Sequence, residues 1–550
     1  MRVARAVGAP SRAGLAARAP SLAALAAGLA AIPVWIYLAR DRTFAVDEWN
    51  FVESRWYGGI DSVLERHNEH IVVIPALVYR FLFETVGIDH GWPYRLVVLA
   101  MHLGCAALLF SLVRRRAGAW PAAFAAILLL FCARAAENVL QAFQMGFVGP
   151  VLGGLFAWWA LDRERPVLAC LGLVFGILCG SLTVAIAIGV AAELVWGRRL
   201  RWLWVPAVPL GLYALWFLGY GGSNTRREGW ESAPGWAVDS AAAAAGGVLG
   251  RGLDWGRPLL LVAVALLVWR FRSAPITPRL VALVAAGAAY WILTGASRSA
   301  GSIAPTDPGQ SRYVYLGAIL VLLLLAEAAS GWRPGRRALI ALGVLTALGL
   351  AQGLPELRRQ ADISRGASDR VRAEATALHA VRERVPPDFT IAAGLGDLQA
   401  GPYFQAADRY GSIALPIEEL ASEPADARYW ADPVFIAGDV RLGPAGPQER
   451  PPGNLPPPVA EGPPGTQPSV GGCVRRDGAV DVRPVTGALW LRTAQAAKIE
   501  LRRFGDGFHE VGTVPAGAPS VVRIQPDGVD VPWHVRVTVP GGRTSVCSLP

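Results

Sequence analysis

A helical membrane protein of many spans, followed outside the membrane by a small α/β element and a β-sandwich, is the fold class the sequence predicts. Three observations predict it. Over 550 residues the chain is 53% hydrophobic and only 17% charged, with a mean hydropathy of +0.37, too apolar and too long for one soluble domain. In the apolar part most arginines fall in short clusters between hydrophobic runs, the distribution of topogenic charge on the cytoplasmic side. Beyond Pro355 the pattern turns to polar helical spacing and then, after Cys473, to alternation of apolar and polar residues.

The elements follow in order. Residues 1–19 carry Arg2, Arg5, Arg12 and Arg18 and no acid, which reads as a cytoplasmic tail ahead of an apolar run over 21–38. At about 1.5 Å per residue that run is long enough to span, and no small-residue cleavage site stands before Arg40 to make it a signal peptide. Asp47 and Glu48 then emerge outside. Residues 70–86 are apolar but interrupted by Pro75, Arg80 and Glu84, which fits an external helix lying at the interface. Runs over 96–113, 120–132 and 146–161 cross in turn, with Arg114, Arg115, Arg116, Arg163 and Arg165 marking the inner ends. The stretch 167–196 has arginines at both ends, so it predicts a hairpin of two short helices turning near Gly180-Ser181. Runs over 202–220, 259–271, 280–295, 313–329 and 338–354 bring the count to about eleven spans with every basic cluster on one side. The membrane domain is therefore read as residues 20–355, and the protein as multi-pass with its N-terminus in the cytoplasm.

Everything after Pro355 is read as extracytoplasmic. Residues 356–442 combine a polar helix over 358–384 with short apolar strands such as 389–393, an α/β region. Residues 443–469 are dense in Pro and Gly and read as an extended linker. Within 470–550, Ile499 and Leu501 alternate with Lys498, Glu500 and Arg502, and Val535, Val537 and Val539 with His534, Arg536 and Thr538, the signature of an antiparallel β-sandwich. Cys473 and Cys547 bracket this module, which suggests a disulfide and an oxidising compartment; two unrelated buried thiols are the alternative. Cys105, Cys132, Cys170 and Cys179 lie in apolar segments as small core residues.

The net charge of +10 and pI near 9.6 do not point to nucleic acid, because so much of the arginine is topogenic. Lys498 is the only lysine, a compositional bias that lowers the information in any one arginine. The outer loops collect a different set. The first holds Asp47, Glu48, Glu53, Arg55, Asp61, Glu65, Arg66, His67, Asn68, Glu69 and His70, interleaved with Trp49, Trp56 and Tyr57. Later ones add Arg134, Glu137, Asn138, Gln141, Gln144, Ser181, Thr183, Arg226, Glu228, Glu231, Arg298, Gln310 and Arg312 with Tyr313. Carboxylates, amides, aromatic faces and arginines thus gather on one side of the membrane.

On these residues the chain resembles the C-type glycosyltransferases, the superfamily that includes protein O-mannosyltransferases and aminoarabinose transferases. Asp47-Glu48 in Val-Asp-Glu-Trp-Asn after the first span, a following surface helix and an external C-terminal region carry the likeness. It is also similar to actinobacterial membrane proteins with an acid pair here, a Glu-His-x-x-x-x-Pro run like Glu69 to Pro75 and a Ser-Arg-Tyr start to a late span like Ser311-Arg312-Tyr313. The resemblance covers roughly residues 20–355 and leaves the C-terminal module outside it.

The resemblance implies an inverting hexosyl- or pentosyltransferase that takes a sugar from a polyprenyl-phosphate donor at the outer leaflet and passes it to an envelope glycan, lipid or protein acceptor. It gives Asp47 the role of general base, with Glu48 orienting acceptor or donor. Arg312, backed by Arg298 and Arg226, would balance charge on the leaving phosphate. Trp49, Glu69, His70, Glu137, Asn138, Gln141 and Tyr313 complete the expected substrate-binding set. Some members of the superfamily use a divalent cation, but two histidines at i, i+3 with one acid, His67, Glu69 and His70, are more often polar surface, and no metal ligand is assigned. Each pick has a plain counterpart: a solvated loop start for Asp47-Glu48, an interfacial anchor for Arg312, a position beyond the bilayer for Glu137. Two other classes fit the layout. One is an exporter or flippase of lipid-linked glycans, which needs ionisable groups inside the spans, where Glu193, Glu327 and His102 are the few present. The other is a membrane-anchored scaffold whose sandwich binds glycan.

Overall fold

The computed structural model describes residues 12–44, 46–222, 227–300, 306–390, 398–461 and 472–550. The chain is mostly helical, with its sheets confined to the C-terminal region. It forms two compact units: one takes Met1–Arg40, Arg55–Thr85 and Trp92–Ser364, the other Asp41–Ser54, Val86–Gly91 and Arg365–Pro550. The short stretch that bears Asp47 and Glu48 thus belongs with the C-terminal residues rather than with the helices that flank it in sequence.

In the described residues, seven helices are long and apolar enough to cross a membrane: Arg18–Leu38, Trp92–Ala117, Ala142–Leu161, Leu200–Tyr220, Pro278–Arg298, Ser311–Ala328 and Arg336–Ala380. Glu228–Val248 and Leu253–Ser273 form a pair bent by 94°, and Ala119–Leu130, Pro166–Cys179 and Thr183–Trp196 are apolar but shorter. Two departures from the sequence reading have simple causes. Arg227–Val248, expected as part of the outer loop between the runs over 202–220 and 259–271, is helical over an Ala-rich run, and alanine is the strongest helix former. Arg336–Ala380 continues through Pro355, where the sequence places the end of the last span; one missing N–H bends or weakens a helix without always ending it.

Glycines set a close helix contact in this unit. A Cβ on Gly153 would lie 2.3 Å from the Gly172 carbonyl oxygen and 2.9 Å from the Gly176 nitrogen, so Met145–Leu161 and Pro166–Cys179 meet backbone to backbone. Charge is buried here as well. Arg116 donates to Glu327 at 2.7 Å and to Asp162 at 2.9 and 3.1 Å, while Arg279 reaches Asp162 at 3.1 Å and Glu193 at 2.8 and 3.1 Å. Arg116, read from the sequence as topogenic charge alone, is therefore also one corner of an ionic network joining several helices.

In the second unit the helix Val46–Ser54 is held by its own neighbours: Trp49 is fully buried, edge-on to Phe44 and Tyr403 at centroid distances of 5.6 and 6.0 Å. The Thr43 N–H donates to Ser368 Oγ at 3.2 Å and Arg372 to the Asp41 carbonyl at 2.9 Å. Gly87, at φ +83, lets the chain pass Tyr410, where a Cβ would sit 2.3 Å from the carbonyl oxygen.

Ten strands follow: β1 Val440–Pro444, β2 Val459–Glu461, β3 Cys473–Asp477, β4 Val480–Arg483, β5 Ala488–Thr493, β6 Ala497–Arg502, β7 His509–Val514, β8 Ser520–Ile524, β9 His534–Thr538 and β10 Arg543–Leu549. They make two antiparallel five-stranded sheets, β1-β8-β5-β10-β3 and β2-β4-β9-β6-β7. Residues 443–469, expected as a linker, thus supply the end of β1 and all of β2. Of the expected strand over 389–393, residues 391–393 lie outside the described residues, and Thr390 bridges Gln399. Cys473 faces Cys547 across β3 and β10 and the two form a disulfide.

A buried acid cluster ties the helix Ala425–Asp439 to the strands. Asp432 accepts from the backbone N–H of Arg503, Phe504 and Gly505 at 2.8, 2.8 and 3.0 Å. Asp439, fully buried, has Arg384 at 2.7 Å and Arg503 at 3.8 Å, and Arg503 also holds Asp527.

Candidate functional site

Within the helical unit the polar residues of several connecting segments come together. The first segment is fixed by two arginines: Arg55 donates to the carbonyls of Ser62, Glu65 and Arg66 at 3.0, 2.6 and 2.7 Å, and Arg80 donates to the Arg55 carbonyl at 2.6 Å. It ends in a tight turn, His67 and His70 exchanging backbone hydrogen bonds at 3.0 and 2.9 Å around Asn68 at φ +53, a conformation that asparagine tolerates. The turn carries the side chains of Glu69 and His70. His70 Nδ1 pairs with Ser181 Oγ at the break between Pro166–Cys179 and Thr183–Trp196. Glu69 is half-buried; its Oε2 stands 3.6 Å from Arg298, and its Oε1 is shielded from solvent with no hydrogen-bond partner among the described residues.

The second segment, after Ala119–Leu130, is a chain of amides. The Glu137 N–H donates to Ser311 Oγ at 3.0 Å, and Ser311 donates to Asn138 Oδ1 at 3.4 Å. Gln144 Nε2 donates to Glu137 Oε1 and Gln141 Oε1, both at 3.4 Å, and its own carbonyl faces Asn138 Nδ2 at 3.5 Å. Asn138 and Gln144 are almost wholly buried, so this relay fixes Glu137 and Gln141 at its more open edge.

The third segment opens the Ser311–Ala328 helix. Gln310 Oε1 accepts two hydrogen bonds from the Arg312 guanidinium, at 3.0 and 2.7 Å, and Arg312 stands 5.6 Å from the Tyr313 ring. Tyr313 is held by Trp236 packed against its ring and by the Tyr290 hydroxyl donating to its carbonyl at 2.8 Å. Arg312, Arg298, Glu137 and Glu69 all lie within electrostatic reach of its phenol. The structure therefore brings Glu69, His70, Glu137, Asn138, Gln141, Arg298, Arg312 and Tyr313 into one neighbourhood with two cations and two carboxylates. Such a set can hold an anionic group beside a polyhydroxylated one.

The remaining predicted residues stand elsewhere. Arg226 lies outside the described residues. Asp47, Glu48 and Trp49 sit on the Val46–Ser54 helix of the second unit, where Glu48 is 1% exposed and Asp47 half-buried. Trp49 is corrected as a member of the substrate-binding set: with 0% exposure and its ring packed against Phe44 and Tyr403, it presents no open face. Among the described residues no group of three or more His, Cys, Asp or Glu is placed to hold a metal ion.

Sequence reasoning gathered Gln144 and Arg55 with the outer-loop residues and Ser311 in the Ser-Arg-Tyr run without giving them a role, and it did not single out Tyr290, Trp236 or Arg80 for this site. The clustering of amides over 138–144 was a usable signal; the tyrosine and tryptophan carry none, being indistinguishable in sequence from interfacial aromatics. No protein-family model matches the chain, and no curated protein matches it.

Proposed function

We propose that the protein is an inverting glycosyltransferase of the C type, which uses a polyprenyl-phosphate sugar and an acceptor hydroxyl of an envelope glycan, lipid or protein. The observation that carries this reading is the Arg298–Glu69 ion pair, with Arg312 and Glu137 within electrostatic reach of the same Tyr313 phenol, near the ends of candidate membrane spans. A leaving phosphate needs fixed cations and a sugar needs fixed acceptors, and both are supplied from one neighbourhood. The reading takes the seven long helices, the bent pair and the three shorter apolar helices together as about eleven spans, and the two sheets as the layers of a sandwich on the outer side.

In this mechanism the acceptor oxygen attacks the anomeric carbon as its proton passes to a carboxylate. The carbon–oxygen bond to the lipid phosphate breaks, and the phosphate leaves with its charge balanced by Arg312 and Arg298. The resemblance assigns the base to Asp47, which is half-exposed, and the orienting of acceptor or donor to Glu48, which is 1% exposed. Glu69 Oε1, shielded and without a partner among the described residues, accepts from a hydroxyl of the bound sugar.

A proton-coupled exporter has less support, because the three groups that the sequence offers for it are already engaged. Glu193 and Glu327 are bonded to Arg279 and Arg116, and His102 to the Tyr315 hydroxyl. The test is transfer in membranes supplied with polyprenyl-phosphate sugars. Asp47→Asn keeps expression and folding but lowers turnover by about 10²-fold or more, and Arg312→Ala lowers kcat by about 10²–10³-fold. Full activity in Asp47→Asn overturns the base; flux of intact lipid-linked glycan without new glycosidic bonds overturns the enzyme.

A further inference from the structure

We infer that the polar face of the sheet β2-β4-β9-β6-β7 carries a binding site for a neutral saccharide, independently of the transfer reaction proposed above. The register builds this face. Glu461 pairs with Asp481, Asp481 with Arg536, and His534 with Arg502. Alternate residues Val480, Val482, Val535, Val537, Ile499 and Leu501 are all buried, so the charged set is turned to the other side.

This face carries a shallow hollow, open to solvent. Glu461, Asp481, Arg502, Asp506, Phe508 and Arg536 line a hollow of about 400 Å³, within the ~300–1,000 Å³ usual for small-molecule sites. Its groups are fixed in advance. Arg536 binds both oxygens of Asp481 at 2.8 Å while its guanidinium stands 4.0 Å over the Phe508 ring, and His534 Nδ1 pairs with Glu461 at 2.6 Å. Arg502, 5.1 Å from the same ring, has a shielded Nε with no hydrogen-bond partner among the described residues.

The chemistry selects the ligand. Carboxylates already held by one partner keep lone pairs for hydroxyl donors, and the arginines keep N–H groups for hydroxyl acceptors. A vicinal diol satisfies both at once. Three acids against two arginines leave no excess of positive charge for a polyanion, and these acids do not converge as metal ligands. The Phe508 edge supplies an apolar wall for sugar C–H groups.

The experiment uses the full chain in detergent micelles, with saturation-transfer NMR and titration against neutral arabinose-, galactose-, mannose- and glucose-built oligosaccharides and a glycerol-phosphate oligomer as polyanion. At least one neutral oligosaccharide binds, and Arg502→Gln and Phe508→Ala each weaken it by about tenfold with the melting temperature and the Cys473–Cys547 bond retained. Transfer from the lipid donor to a small soluble acceptor stays at the parent level in both variants. The proposal is overturned if no neutral oligosaccharide binds, if only the polyanion binds, or if both variants bind as the parent does. Loss of transfer in Asp47→Asn with binding intact separates this site from the reaction.

Discussion

Asp439 shows how a single buried group governs the behaviour of its surroundings. Burial, followed by the neighbouring Asp527 carboxylate, raises its pKa to about 7, against the opposing pull of Arg384 and Arg503. An unfolded chain holds the same group near 3.9, so between about pH 4 and 7 the folded state binds a proton that the unfolded state does not. The stabilisation is fully present below the lower value and is lost as pH rises through the upper one. Asp527 titrates in the opposite sense, pulled below the usual carboxylate range by Arg503, so its contribution is lost only in acid. The melting temperature of the parent therefore falls by a few degrees from pH 5 to pH 8, and Asp439→Asn flattens that slope; thermal melts across the range check it. The sequence did not signal this cluster. Asp432 finds its N–H donors 71 to 73 residues further on, a separation without local pattern. The Cys473–Cys547 pairing was more legible because the two residues bracket a module of changed composition.

The apolar elements were legible where length and flanking charge agree, as in Trp92–Ala117 with Arg114, Arg115 and Arg116 in its last turn. They were missed where alanine replaces larger apolar residues, as in Arg227–Val248, and read as two separate helices where a proline lies inside one, as in Arg336–Ala380. Helix contacts are the less visible layer: a glycine in an apolar run reads the same whether it faces lipid or another backbone. Gly153 and Gly211 separate the two cases. Gly153→Ala places a methyl against the Gly172 carbonyl and costs about 1–3 kcal/mol. Gly211→Ala, in Trp204–Tyr220 with nothing within 4 Å, is neutral or stabilises by about 0.5–1 kcal/mol. Unfolding in mixed detergent, monitored by tryptophan fluorescence, distinguishes the two; equal effects would remove the close helix contact.

Across the whole molecule the chain enters the second unit in three segments, 41–54, 86–91 and 365–550, so that unit is not defined by its C-terminal residues alone. The sequence reading drew one boundary at 355 because composition changes there; composition does not record that Phe44 and Trp49 pack with Tyr403. The disulfide bears on this unit as a whole: Cys473→Ser lowers its stability by about 2–5 kcal/mol, read as a lower urea midpoint from Trp490 and Trp533 fluorescence, and dithiothreitol reproduces the shift in the parent. An unchanged midpoint would mean that the cross-link constrains nothing the strands do not already hold. The hydrogen bond from Thr43 to Ser368 carries a consequence of timing, since its partners are 325 residues apart in the order of synthesis. At about 5–20 residues per second, the ribosome delivers Ser368 roughly a quarter of a minute to a minute after Thr43. For that interval Phe44 and Trp49 wait without the surface they finally pack against, which makes residues 41–54 a natural client for a chaperone during biogenesis.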